Sequence, residues 1–139
     1  MQLVEYGWTM FLARRIAIVD DEVSVRTALA RLLQSLGLQA EAFDSVGQFL
    51  TAFQKDPPDC VVLDLHMPVL SGLAVLKLLP PDFPAVLLSG LDAPDDPLLA
   101  SESVVFLRKP VDDLTLLGAI RQACRNGGAD GTNLSQNTP

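Results

Sequence analysis

The chain has 139 residues, 49% hydrophobic and 19% charged, which suits one packed domain and argues against wholesale disorder. Its 10 Lys and Arg stand against 17 Asp and Glu, a formal charge of −7 that disfavours gripping nucleic-acid phosphates by bulk charge. Apolar runs fall short of the ~20 residues a membrane span needs, two cysteines (Cys60, Cys124) make neither a disulfide framework nor a metal cluster, and a single histidine, His66, excludes His-rich zinc sites.

Residues 1–9 lack the basic start of a secretory signal, so the chain is expected in the cytoplasm. Met10 offers a second possible start. Residues 1–13 read as an N-terminal extension. A short β-branched run at 15–19, ended by Asp20, Asp21 and Glu22, predicts a buried strand. Val25, Ala28, Leu29, Leu32, Leu33 and Leu36 recur at helical spacing until Gly37 stops them. Residues 38–43 predict a second strand. Asp44 or Ser45 caps the next helix, with Gln48 placed as in a capping box and Phe49, Leu50 and Phe53 inward. Residues 60–65 predict a third strand, apolar on both faces apart from Asp64, as a central parallel strand is. A short helix at 72–79 is halted by Pro80 and Pro81. Residues 85–88 and 104–107 predict strands four and five. Between them, 91–103 holds Pro94 and Pro97 and supports at best one weak helical segment. Asp112 or Asp113 caps a last helix with Leu114, Leu117 and Ile120 inward. Residues 126–139, rich in Gly, Asn and Ser, read as a flexible tail.

Strands alternating with helices predict an α/β fold: a flavodoxin-like, doubly wound five-stranded parallel sheet of order 2-1-3-4-5 with helices on both faces, the fourth helical segment short or irregular. Such sheets bind ligands beyond the C-terminal strand ends, at the switch point between strands one and three. Asp20, Asp21 and Glu22 end strand one, Asp64 strand three, Ser89 strand four and Lys109 strand five. Clustered carboxylates repel unless a cation intervenes, and Mg²⁺ accepts carboxylates together with phosphate oxygens. A lysine and a hydroxyl on the other side suit a phosphoryl group, and a carboxylate can itself be the nucleophile.

IAIVDDE, VVLDLHMPVLSG, VLLSG and VVFLRKP, in that order, resemble the receiver domain of two-component response regulators over residues 14–125. The resemblance implies that Asp64 accepts a phosphoryl group from a sensor histidine kinase or a phosphotransfer protein. It implies that Asp20, Asp21, Asp64 and the backbone carbonyl of His66 hold Mg²⁺. Lys109 would contact the phosphoryl oxygens, and Ser89 would hydrogen-bond the phosphate, with Phe106 as the switch aromatic. Gly90 would leave room for the phosphoryl group. Met67-Pro68 and Gly72 match the tight turn after the acceptor, and Lys109-Pro110 matches a peptide usually cis in the family. The His66 side chain is expected to point outward over the mouth of the site. Phosphorylation would switch protein–protein interactions, with no direct nucleic-acid or membrane binding and no enzyme activity beyond the chain's own phosphorylation and dephosphorylation.

The match looks nearest to regulators in which a helix-turn-helix domain follows the receiver. No such domain is evident here, which favours a single-domain regulator over a receiver excised from a transcription regulator. A degenerate receiver acting without phosphate, and a Mg²⁺-dependent phosphohydrolase, are the competing readings. The latter class places a second acid two residues after its nucleophile, where this chain has His66. The weak fourth helical segment puts the family's usual output face in doubt.

Overall fold

The computed structural model describes residues 14–126. The expected N-terminal extension, and the expected tail beyond Asn126, lie outside the described residues. Five strands, β1 (Arg15–Val19), β2 (Gln39–Phe43), β3 (Cys60–Asp64), β4 (Ala85–Ser89) and β5 (Val104–Arg108), form one parallel sheet in the order β2-β1-β3-β4-β5. Four helices join or follow them: α1 (Val23–Ser35), α2 (Val46–Lys55), α3 (Gly72–Lys77) and α4 (Asp113–Asn126). The segment between β4 and β5 makes only a 3-10 turn, Pro97–Ala100, in place of a fourth α-helix. This is the irregularity that Pro94 and Pro97 predict, since proline removes donors and blocks the helix.

The central strands are buried on both faces, and their alternation divides the core in two. Ile16, Ile18, Cys60, Val62, Val86 and Leu88 face α1 and α4, where Leu33, Leu116, Leu117, Ile120 and Cys124 pack. Ala17, Val19, Val61, Leu63, Ala85 and Leu87 face the other layer, with Phe49 and Val75. There Phe43, Phe49, Phe53 and Phe83 run as a chain of edge-on rings, centroids 5.1 to 5.8 Å apart. Each such pair is worth ~0.5–1.5 kcal/mol beyond the area it buries. One expectation fails: Leu114 is 79% exposed. The inward stripe of α4 starts at Leu116 and continues through Leu117, Ile120, Ala123 and Cys124, the i, i+1, i+4, i+7, i+8 set.

Helix ends follow local chemistry. Ser45 caps α2 by accepting the Gln48 N–H, and Ser71 caps α3 by accepting the Ala74 N–H. Of the two candidates for α4, Asp112 accepts from the Thr115 N–H at 2.7 Å. Gly37, at φ 90°, ends α1 in a conformation other residues adopt only with strain.

Candidate functional site

The strand order reverses between β1 and β3, and the C-terminal ends of β1 and β3 hold three carboxylates. One oxygen from each of Asp20, Asp21 and Asp64 lies within 4.8 Å of the others. Asp20 and Asp64 are buried and Asp21 is exposed, so the cluster is a pit with one open wall. Lys109 closes the opposite side. Its Nζ stands 3.7 Å from Asp20 Oδ2 and 3.7 Å from Asp64 Oδ1. The register delivers it: Ser89 of β4 pairs with Arg108 of β5, and the Lys109 N–H donates to the Ser89 carbonyl at 2.7 Å. The Lys109–Pro110 peptide that follows is cis.

The backbone fixes the carboxylates. Asp20 Oδ1 accepts the Glu22 N–H at 2.9 Å, and Asp64 Oδ1 accepts the His66 N–H at 3.2 Å. Arg26, one turn into α1, donates to the Asp20 carbonyl at 2.9 Å. Nothing in the sequence pattern singled out Arg26; its position four residues after Glu22 puts it over the strand end. Asp20 Oδ2 is the one buried side-chain oxygen or nitrogen among the described residues with no hydrogen-bond partner. Burial raises the Asp20 carboxyl above its ordinary value of 3.8, the Glu22 N–H opposes this, Asp64 raises it further, Lys109 lowers it, and Asp21 adds a smaller rise. A buried oxygen with no hydrogen bond, facing two more acids and only a distant lysine, suits a hard divalent cation, and oxygen donors of this type suit Mg²⁺.

Gly72, at the start of α3, packs on the acceptor strand. A Cβ there would lie 2.7 Å from the Asp64 carbonyl oxygen and 3.0 Å from Leu65 Cα. At Gly90 a Cβ would meet nothing within 4 Å. Phe106 is half-buried and packs with the α2–α3 layer, in register with Leu87. An apolar groove of about 520 Å³ opens beside Lys109, between Val25, Ala28 and Leu29 of α1 and Pro110 and Val111.

The His66 side chain departs from expectation. Instead of standing free over the mouth, its Nε2 lies 3.0 Å from Ser89 Oγ, although the residue as a whole is exposed. The cause is the buried Ser89 hydroxyl, which needs partners; it also accepts the Leu91 N–H at 2.9 Å.

Comparison with known proteins bears on the family and the fold. Residues 16–121 match the family model described as the response regulator receiver domain. The response regulator protein TodT of Pseudomonas putida is 38% identical over 117 residues, covering 79% of this chain and 51% of TodT. The transcriptional regulatory protein FixJ of Azorhizobium caulinodans is 32% identical over 121 residues, covering 84% of this chain and 57% of FixJ. A response regulator receiver domain structure from Clostridium thermocellum superposes with a TM-score of 0.70 at 29% identity, covering 81% of this chain and 94% of that one. The chain thus spans about half the length of the curated relatives it matches.

Proposed function

The chain belongs to the response regulator receiver family, and from that premise we propose that Asp64 is its phosphoryl acceptor and that phosphorylation switches its protein contacts. The observation that carries this is the placement of Asp64: buried at the end of β3, beside Asp20, with Lys109 Nζ 3.7 Å away. A carboxylate oxygen of Asp64 attacks phosphorus in a phosphohistidine. The new P–O bond forms as the P–N bond breaks, and the donor imidazole leaves with the electron pair of that bond. Lys109 sets a fixed positive charge against the oxygens that gather negative charge in the transfer. The Asp64 oxygen that does not attack stays tethered by the His66 N–H, which orients the carboxylate. Asp20, Asp21, Asp64 and the His66 carbonyl would hold Mg²⁺. The ion, when bound, supplies further positive charge to the phosphoryl oxygens. Ser89 takes up the phosphoryl group by hydrogen bonding, and Phe106, adjacent on β5, moves as Ser89 moves.

The donor is a sensor histidine kinase or a phosphotransfer protein. It docks over the groove between α1 and Val111, the apolar surface nearest Lys109. The reading places the chain in the cytoplasm, where ATP charges such donors. Among the described residues no helix is long and apolar enough to cross a membrane. Intact mass after incubation with acetyl phosphate tests the acceptor. A gain of one phosphoryl mass that requires Mg²⁺ and is lost in Asp64→Asn supports it. No gain with acetyl phosphate, and no binding of beryllofluoride, would overturn it.

A further inference from the structure

Ser89 is fully buried, yet its hydroxyl has two partners: the Leu91 N–H at 2.9 Å and His66 Nε2 at 3.0 Å. The Leu91 amide can only donate, so it fills one acceptor site of Oγ. The hydroxyl proton then needs an acceptor, because an unmet buried donor is costly. Among the described residues, Nε2 is the one acceptor within hydrogen-bond distance. An imidazole carrying its proton on Nδ1 satisfies both groups at once: Ser89 donates to Nε2, and the Nδ1–H belongs to an exposed residue, where water can accept it.

We propose that the His66 side chain is a latch on Ser89, a positioning residue that holds the hydroxyl proton in the resting arrangement and biases the chain against the phosphorylated one. This rests on the receiver reading above. Phosphoryl oxygens are acceptors only, and so is the bare Nε2. Ser89 has one proton to give, so it serves either His66 or the phosphoryl group. Each phosphorylation therefore exchanges one acceptor for the other, and the imidazole must release Ser89 before Ser89 can close on the phosphate. The two endpoints differ in which acceptor holds the Ser89 proton, and removing the imidazole takes one hydrogen bond from the resting endpoint alone, which is the scale of bias that sets populations in a two-state switch.

The probe is beryllofluoride, titrated at one fixed pH with saturating Mg²⁺. Affinity is read on the full chain as wild type, His66→Ala, His66→Gln, Ser89→Ala and the His66→Ala/Ser89→Ala double variant. His66→Ala is expected to bind about threefold to tenfold more tightly, the range of one net hydrogen bond. His66→Gln, whose amide oxygen can accept from Ser89, stays within about twofold of wild type. In the Ser89→Ala background the His66→Ala effect disappears. Because His66 is the only histidine in the chain, imidazole ¹⁵N shifts report it without ambiguity. The resting protein should show the Nδ1–H tautomer, and beryllofluoride should change the Nε2 shift. Unchanged or weaker binding by His66→Ala, an effect that survives Ser89→Ala at full size, or a resting Nε2–H tautomer would overturn the latch while leaving the receiver reading intact. Failure of the wild type to bind beryllofluoride at all would sink that reading, and the latch with it.

Discussion

Gly72 lies so close to Asp64 that a methyl group on its α-carbon would stand 2.7 Å from the Asp64 carbonyl oxygen. The same glycine donates its N–H to the Leu65 carbonyl at 2.9 Å. The start of α3 is thus pressed onto the strand end that presents the acceptor. Gly72→Ala must displace backbone, since neither neighbour is a flexible side-chain tip. We expect a loss of about 1–3 kcal/mol in urea unfolding, the usual cost of overpacking. Acetyl phosphate labelling should also slow, because the Asp64 carboxylate moves relative to Lys109. Gly90→Ala, at a position with open space, should leave stability unchanged within about 0.5 kcal/mol.

Asp20 gives a prediction of opposite sign. Its carboxyl is raised above 3.8 chiefly by burial, so the folded chain binds that proton more tightly than the unfolded chain. Stability contributed by this group therefore falls as pH rises from about 4 through the raised value, and the full penalty is present at neutrality. Without Mg²⁺, Asp20→Asn should be more stable than wild type at pH 7, by roughly 1 kcal/mol or more, with the advantage shrinking as pH falls through the raised value and gone below about 4. The asparagine carbonyl can still accept the Glu22 N–H. Adding Mg²⁺ should reverse the order: at 100 times its Kd a ligand of the folded state adds about 2.7 kcal/mol, and the variant gains less. Thermal melts across pH, with and without Mg²⁺, read both effects. A variant less stable than wild type in the absence of Mg²⁺ would show that the buried carboxylate is not a liability.

These two cases show why most of the site is legible in the sequence and part is not. Asp20, Asp21, Asp64, Ser89 and Lys109 each sit where an apolar strand run stops, and a parallel sheet carries all such stops to one edge. Strand alternation and prolines likewise indicate the two-layered core and the missing fourth helix. The failures concern which way a side chain turns. Leu114 satisfies the helical period yet faces solvent, because the last helix docks one step further along, on Leu116 and Leu117. His66 reads as an outward residue because its partner, Ser89, lies on another strand, and nothing in its own neighbourhood signals a buried hydroxyl short of an acceptor. The Arg26 bond to the Asp20 carbonyl is local, six residues along the chain, but a long side chain at an otherwise polar helix position carries no signal of where its guanidinium turns.

Protein donors and small donors should part company at the α1 groove. Ala28 is exposed on its rim, beside Leu29 and opposite Val111. Ala28→Glu places a charge on apolar surface without touching the acidic pit. For a histidine-phosphorylated protein that transfers to this chain, the variant should slow transfer about tenfold or more, because docking would bury the new charge without a partner. Labelling by acetyl phosphate should stay within about twofold, since that donor needs only the pit. Equal slowing with both donors would move the docking surface elsewhere.

The segment between β4 and β5 should be the least stable stretch of the described chain. Its backbone is held at the ends by the Leu91 N–H to Ser89 Oγ and the Val104 N–H to the Ser101 carbonyl, and between them by short-range bonds, the Leu99 N–H to the Asp96 carbonyl, the Ser101 N–H to the Leu98 carbonyl and the Leu98 N–H to Asp96 Oδ1. Leu98 and Leu99 lean on the α2–α3 layer without being fully buried. The Lys77–Asp96 pair, at 3.4 Å, joins a largely exposed lysine at the surface, where water screens it and it adds little. Asp92 pairs with Arg108 at the surface, where both side chains are mostly exposed. Opening this stretch breaks no strand pairing and uncovers little core. Amide exchange for residues 91–101 should therefore run at least about a hundredfold faster than in β4, by local rather than global opening. Because this stretch lies beside β5 and Phe106, phosphorylation or beryllofluoride should change its exchange more than that of β2 at the far edge of the sheet. Exchange as slow as in β4 would show a rigid segment, and an output face that does not depend on its rearrangement.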